Sequence, residues 1–192
     1  MPDLTISLVR PPTCFFLGCL LAVALPTSSV SAQEVIPVTG LETIGSTMGS
    51  AEGPFTLYSL LDNRVVPQKD SASTDWDLGF RSTTIIVNGG TSGPGEGRAA
   101  LLQMRFEDVT EPPADSLFRS DGGGDCPNES MYAICTGSLN GWYEYAGSGV
   151  VNPLPETTLV FRLADGGFAK VRILKYEMAG ESRRYMFEYL LF

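Results

Sequence analysis

From Pro54 to Phe192 the apolar residues recur in short runs with a period near two, broken by Gly, Pro, Asn and Asp clusters. That is the pattern of half-buried strands, not of helices. The segment 55-FTLYSLL-61 and the pair Val65-Val66 flank Asp62-Asn63-Arg64, which predicts two strands about a turn. In 75-DWDLGF-80, Trp76, Leu78 and Phe80 fall on one face, and 83-TTIIVN-88 carries the β-branched residues that strands favour. The run 99-AALLQMRF-106 predicts a half-buried strand with Leu102, Met104 and Phe106 on one side. Leu159, Phe161 and Leu163 share a face, as do Val171 and Ile173, with the hairpin turn Ala164-Asp165-Gly166-Gly167 between them. A last strand, 184-RYMFEYLLF-192, runs to the final residue.

Residues 110–140 are rich in Pro, Gly, Asp and Ser and predict an irregular excursion with a short helix near Asp115–Phe118. Residues 88-NGGTSGPGEG-97 read as a flexible hairpin connection. No helical stripe of three turns and no fixed-period repeat follows the N-terminal segment. The expectation is one antiparallel all-β domain, a single sheet or sandwich-like, with long Gly/Pro-rich loops, over 54–192. Residues 33–53 form a leader segment ahead of it, a leader strand or ordered tail.

The first 32 residues have a different character. Arg10 precedes an apolar run from Cys14 to Leu25, then Pro26, then small residues up to Ala32. Twelve apolar residues are too few for a membrane-spanning helix, which needs about 20. Residues 1–32 are expected to be a secretory signal peptide cleaved after Ala32, leaving no transmembrane segment in the mature chain. The rival reading is lipoprotein processing at Cys19. The exported chain is placed in the periplasm, at the outer surface or outside the cell.

Composition narrows the chemistry. Charged residues are 18% of the 192 and hydrophobic ones 43%, enough apolar content for a folded core. The net charge of −9 argues against nucleic acid or an anionic membrane as partner. Histidine is absent altogether, which removes His-based nucleophile pairs and general bases and His-ligated zinc. The glycine loop lacks a Gly-Lys-Ser/Thr ending, the acidic residues lack EF-hand spacing, and no carboxylate pair stands out for glycoside hydrolysis. The protein is not expected to be an enzyme. Asn128-Glu129-Ser130 is a formal glycosylation sequon. After export two of the four cysteines remain, Cys126 and Cys135. Their pairing as a disulfide is favoured over a two-thiolate metal site, for which two further ligands are missing.

The aromatic residues are concentrated late in the chain: Trp142, Tyr143 and Tyr145, then Tyr176, Tyr185, Phe187 and Tyr189. They suit a core, or the wall of an apolar pocket for a flat ligand. The segments 58-YSLLDNRVV-66, Asp70-Ser71, 75-DWDLGFRSTTIIVNGG-90, Gly97 with Ala99-Ala100-Leu101, 142-WYEY-145, Pro153 and Pro155, 165-DGGFAKVRILKY-176 and 185-YMFEY-189 together resemble the HmuY family. That resemblance covers most of residues 55–192. It implies an exported, often lipid-anchored all-β protein that captures haem and passes it to a TonB-dependent outer-membrane receptor. It also implies axial iron ligands, commonly two His and in some relatives Met.

This chain departs from the two-His pattern, so any iron ligand must be sulfur or phenolate. Among Met48, Met104, Met131, Met178 and Met186, the best candidate is Met131, next to Tyr132 and between the two cysteines. Met104 is expected in the core, and Tyr143 and Tyr145 are expected to line the haem pocket. The alternatives are a haem-independent envelope interaction or structural domain of the same fold, and a small outer-membrane barrel. The barrel sits badly with Glu188 and the charged run 170-KVRILK-175.

Overall fold

The structure, a computed structural model, describes residues 33–45, 52–124, 126–127 and 129–192. The expected signal peptide with Cys19, and Met48 and Asn128, lie outside the described residues. The described chain forms strands β1 (Ile36–Ile44), β2 (Thr56–Ser59), β3 (Arg64–Val66), β4 (Leu78–Arg81), β5 (Thr84–Val87), β6 (Arg98–Leu102), β7 (Tyr143–Gly147), β8 (Val150–Pro153), β9 (Thr158–Arg162), β10 (Phe168–Ala179) and β11 (Ser182–Leu191). Short 3-10 turns occupy Gln68–Asp70, Phe106–Asp108 and Asp115–Leu117. The strands form a five-stranded sheet in the order β1-β11-β10-β9-β6, a four-stranded sheet β3-β2-β4-β5, and the β7-β8 hairpin. Every pairing between strands is antiparallel. This is the sandwich-like all-β fold that the period-two pattern predicts.

The main core contains Tyr58, Leu78, Phe80, Ile85 and Val87 from the four-stranded sheet. From the five-stranded sheet it contains Leu159, Phe161, Val171, Ile173, Tyr185, Phe187 and Tyr189. Strict alternation carries all of these inward but would not carry Tyr176, which belongs to the same core. A bulge between Ile173 and Lys175 turns Leu174 outward and lets both Ile173 and Tyr176 reach the core. Gly40, at φ +80°, marks a second bulge, which allows Val38 and Leu41 to be buried three residues apart. The leader therefore supplies an edge strand and two core side chains.

Tyrosines of β11 join the two sheets by their tips. The Tyr185 hydroxyl donates to Ser82 O at 2.6 Å and that of Tyr189 to Leu60 O at 2.7 Å, each at a turn of the opposite sheet. Asp77 adds a third link, accepting from Leu60 N at 2.8 Å and Ala164 N at 3.1 Å.

The outer faces of both sheets are also apolar. Leu57, Val66, Trp76 and Ile86 form a cluster packed by Phe55 and Tyr132, while Ala100 and Val160 pack with Val109 and Phe118. Trp76 therefore does not share the face of Leu78 and Phe80. It precedes β4 and its indole N–H donates to Ser71 O at 3.0 Å. The excursion covers both outer surfaces, with Val109 and Phe118 against one and Tyr132 against the other. Asp121, in the middle of the excursion, accepts from Val87 N at 3.0 Å and Ala133 N at 2.6 Å, closing the free edge of β5.

Two further expectations are corrected. β6 ends at Leu102, and Met104 is 45% exposed. The chain turns at Gln103–Arg105 because Lys170, itself buried, donates to the carbonyls of Phe106 and Val109 at 2.7 Å each and sits 4.3 Å from the Phe106 ring centroid. The glycine loop is a crossover between sheets, since β5 and β6 belong to different ones. Buried Asn88 holds it, donating to Ser73 O and Trp76 O and accepting from Gly95 N. Gly97 lies so close that a Cβ there would stand 2.6 Å from Asn88 O.

Burial pushes the carboxyls of Asp77 and Asp121 above the ordinary aspartate value of 3.8, outweighing the backbone N–H groups that favour the charged form. The folded state then binds more protons than the unfolded one. Its contribution is fully present below pH 3.8 and is lost as pH rises through the folded-state value. Between pH 7 and pH 4 the native protein should therefore gain stability relative to Asp121→Asn, as measured by urea unfolding at both pH values. Asp121→Ala strands two buried N–H groups and should cost about 2–4 kcal/mol in the same assay.

Candidate functional site

The late aromatics gather around the β7-β8 hairpin. Trp142 lies in ring contact with Tyr143, Tyr176 and Tyr185, at centroid separations of 4.9, 5.7 and 5.5 Å. Its indole N–H donates to Thr83 O at 3.1 Å, tying the base of the hairpin to the β4-β5 turn. Tyr143 is buried, its hydroxyl accepting from Gly137 N at 3.1 Å and Thr83 Oγ1 at 3.4 Å. Burial raises the hydroxyl pKa of Tyr176 and, more strongly, of Tyr185. Those two phenols stay protonated at neutral pH and serve packing and hydrogen bonding instead of anionic ligation.

Tyr143 and Tyr145 project from the same side of the hairpin, opposite Pro153 and Val151. Their surroundings differ. Tyr143 is sealed in the core, whereas Tyr145 is 51% exposed near the hairpin tip. The tip, Gly147-Ser148-Gly149, has positive φ at all three residues, a conformation that the two glycines accept readily. Tyr145 is fixed at both ends: its N–H donates to Ser138 Oγ at 2.8 Å, and its hydroxyl accepts from Gly149 N at 3.0 Å.

Met131 stands on the excursion. Cys126 and Cys135 are joined by a disulfide with Cα atoms 5.4 Å apart, inside the range such bridges require. The Arg119 guanidinium lies 3.0 Å from Cys135 Sγ. Met131 O accepts from Gly122 N at 2.5 Å, and Ala133, Ile134 and Cys135 behind it are buried. The Met131 side chain nevertheless remains 52% exposed. A flexible apolar side chain is thus presented to solvent from a firmly held backbone.

One cleft, of about 400 Å³, is lined by Glu42, Thr43, Ile44, Thr56, Glu181 and Ser182. A smaller one, of about 150 Å³, is lined by Ser59, Leu61, Asp62, Thr74, Asp75, Asp77 and Asp165. Neither is lined by Met131, Tyr143 or Tyr145. Among the described residues no cluster of three or more Cys, Asp or Glu is placed to hold a metal ion. None of their helices is long and apolar enough to cross a membrane.

Another of the candidate sulfurs, expected in a loop after Tyr176 but found on β10, does meet the hairpin. Met178, 54% exposed on β10, places Sδ 2.8 Å from where a Cβ on Gly149 would stand. The signal for the hairpin itself is legible in Gly147-Ser148-Gly149 between two β-forming segments. The partner on β10 is not, because it depends on the bulge after Ile173.

The family model described as HmuY protein matches residues 53–189. The chain belongs to the HmuY family. Two solved structures share similarity with it at low identity. The crystal structure of the apo HmuY analog of Tannerella forsythia has a TM-score of 0.44 at 13% identity, covering 83% of this chain and 95% of that one. A Bacteroides fragilis protein named as a putative lipoprotein has a TM-score of 0.41 at 16% identity, covering 71% of this chain and 83% of that one. No curated protein matches the chain.

Within this HmuY-family domain the disulfide restrains the segment that carries Met131. The Cys126–Cys135 separation is nine residues, for which the chain-entropy model gives about 2–3 kcal/mol. Replacing both cysteines by serine should lower unfolding stability by about that amount, read by denaturant melts under non-reducing conditions. An unchanged midpoint would show that the excursion is held without the bridge.

Proposed function

We propose that this chain is an exported binding protein of the cell envelope that captures haem through a methionine thioether, with Met131 as the leading ligand. The observation that carries this reading is the presentation of Met131. In a chain without histidine, it offers a soft donor, half-exposed, on a segment held by the disulfide and by Asp121. Methionine commonly fills cores, whereas Met131 is exposed while Ala133, Ile134 and Cys135 just after it are buried.

The donor chemistry fits. Haem, when bound, would supply an iron that a thioether sulfur is able to ligate. Met131 would hold that position, and Tyr145 would offer an aromatic edge and a hydroxyl to the ring. Tyr143, lying beneath, would fix the hairpin that carries Tyr145. Export, an outer-surface or periplasmic location and delivery to a TonB-dependent receptor complete the proposal, with lipid attachment at Cys19 as the alternative to a free mature chain. Binding, not catalysis, is the activity.

A second reading has its own support: Tyr143 is buried and its hydroxyl is taken up by Gly137 N and Thr83 Oγ1. On that reading the domain makes a haem-independent contact in the envelope. Haem titration into the full exported chain, with and without dithionite, separates the two. The first predicts a saturable Soret shift that is stronger on reduction, because a thioether favours the softer ferrous state. Met131→Ala should weaken binding at least tenfold, about 1.4 kcal/mol. No saturable shift in either redox state would overturn haem capture and leave the envelope contact.

A further inference from the structure

The tip of the β7-β8 hairpin is gripped from two directions at one residue. On one side, Gly149 N donates to the Tyr145 hydroxyl at 3.0 Å. On the other, the Met178 sulfur lies against the face that a side chain would occupy, 2.8 Å from an ideal Cβ. A Cβ there would force the sulfur to shift, and glycine is also the residue that accepts the local φ of +81°. Met178 and Tyr176 share one side of β10, so the sulfur extends the line of core side chains outward until it reaches the hairpin tip. Its thioether is apolar on the side facing Gly149, yet the residue is 54% exposed and open to small oxidants.

We infer that Met178 is an oxidation-sensitive latch: its conversion to the sulfoxide releases the β7-β8 hairpin from β10. The oxidant is a peroxide. A sulfur lone pair attacks one peroxide oxygen, the O–O bond breaks and the S–O bond forms. After proton transfer the second oxygen leaves as water, so sulfur loses two electrons and the peroxide gains them. The product is polar and seeks hydration, which the contact with the Gly149 backbone denies it on that side. A thiol-dependent methionine sulfoxide reductase returns the thioether, which makes the latch reversible.

Two other exposed methionines act as internal controls. Met131 Sδ stands 3.6 Å from an ideal Cβ on Gly124, an ordinary contact, and Met104 is 45% exposed just beyond β6. Both should oxidise without moving the hairpin. Among the described methionines, Met178 is the one whose sulfur lies against Gly149.

The test treats the full chain with hydrogen peroxide, maps added oxygen by peptide mass spectrometry and follows amide exchange over residues 143–153, with β9 as reference. Met178 should gain one oxygen. Exchange of the hairpin should then rise about tenfold, the size of losing one sulfur contact together with one hydrogen bond. Methionine sulfoxide reductase should reverse the rise. Met178→Leu should keep slow exchange before and after peroxide while Met131 and Met104 still oxidise. Met178→Gln, polar without oxidation, should exchange fast from the start. Unchanged hairpin exchange after Met178 has oxidised overturns the latch. So does an equal rise in Met178→Leu, or a Met178 that stays unoxidised while Met131 reacts.

Discussion

Asp77 lies between two turns that belong to different sheets, and its carboxylate takes one backbone N–H from each. Leu60, after β2, donates to one oxygen, and Ala164, between β9 and β10, donates to the other. The two donors are 104 residues apart in the chain, so no local element could supply this link. Tyr189, on the opposite sheet, accounts for the Leu60 carbonyl as well, which leaves both backbone polar groups of Leu60 satisfied. Burying an ionisable group is costly, as the upward shift of the Asp77 carboxyl reflects. It persists here because removing it would strand N–H groups at the closed end of the sandwich. The packing of Tyr58, Phe80 and Phe187 between the sheets depends on that end staying closed.

Asp121 does for the excursion what Asp77 does for the sheets. An isolated β-sandwich hides one face of each sheet, whereas here Val160 and Ala100 on one outer surface and Trp76 and Ile86 on the other are buried too. Some segment must cover them, and the irregular chain between β6 and β7 does so. With scarcely any regular structure of its own, that segment relies on discrete polar ties: Asp121 to Val87 and Ala133, Lys170 to the carbonyls near its start, and the Cys126–Cys135 bridge. The same ties determine which side chains face outward, Met131 among them.

The strands were legible where alternation is regular, as at Leu159, Phe161 and Leu163 or Tyr185, Phe187 and Tyr189, because burying one face of a strand imposes period two. Legibility failed at the bulges, which shift that period by one residue. Gly40 and Leu174 could be placed only once their partner strand was known. It failed again at Met104, where the apolar pattern continued but Lys170, distant in sequence, drew the chain into a turn. The disulfide followed from the expected export and cysteine counting. The family followed from ordered segments across most of the domain, and the family model agrees. Tyr143 and Tyr145 look equivalent as sequence, yet one is sealed and the other open. Their depth is set by where the hairpin meets Trp142 and β10, which no spacing encodes.

Sulfur has the most distinctive distribution in the domain. Met104, Met131 and Met178 are all about half-exposed, whereas the sheets are joined and the core filled by aromatic rings and hydroxyls. A thioether gives little to a hydrogen-bonded scaffold, so its replacement in the core by Tyr and Phe follows from the need to satisfy turn carbonyls across the sandwich. At the surface the same atom has two uses, both drawn from its polarisable lone pairs: donation to a soft metal and reaction with an oxidant. Which use prevails depends on what the sulfur touches. At Met131 the backbone is fixed and the side chain faces outward, an arrangement suited to donation. At Met178 the sulfur rests on the side of Gly149 away from the Tyr145 hydroxyl, so a change at sulfur acts directly on the hairpin.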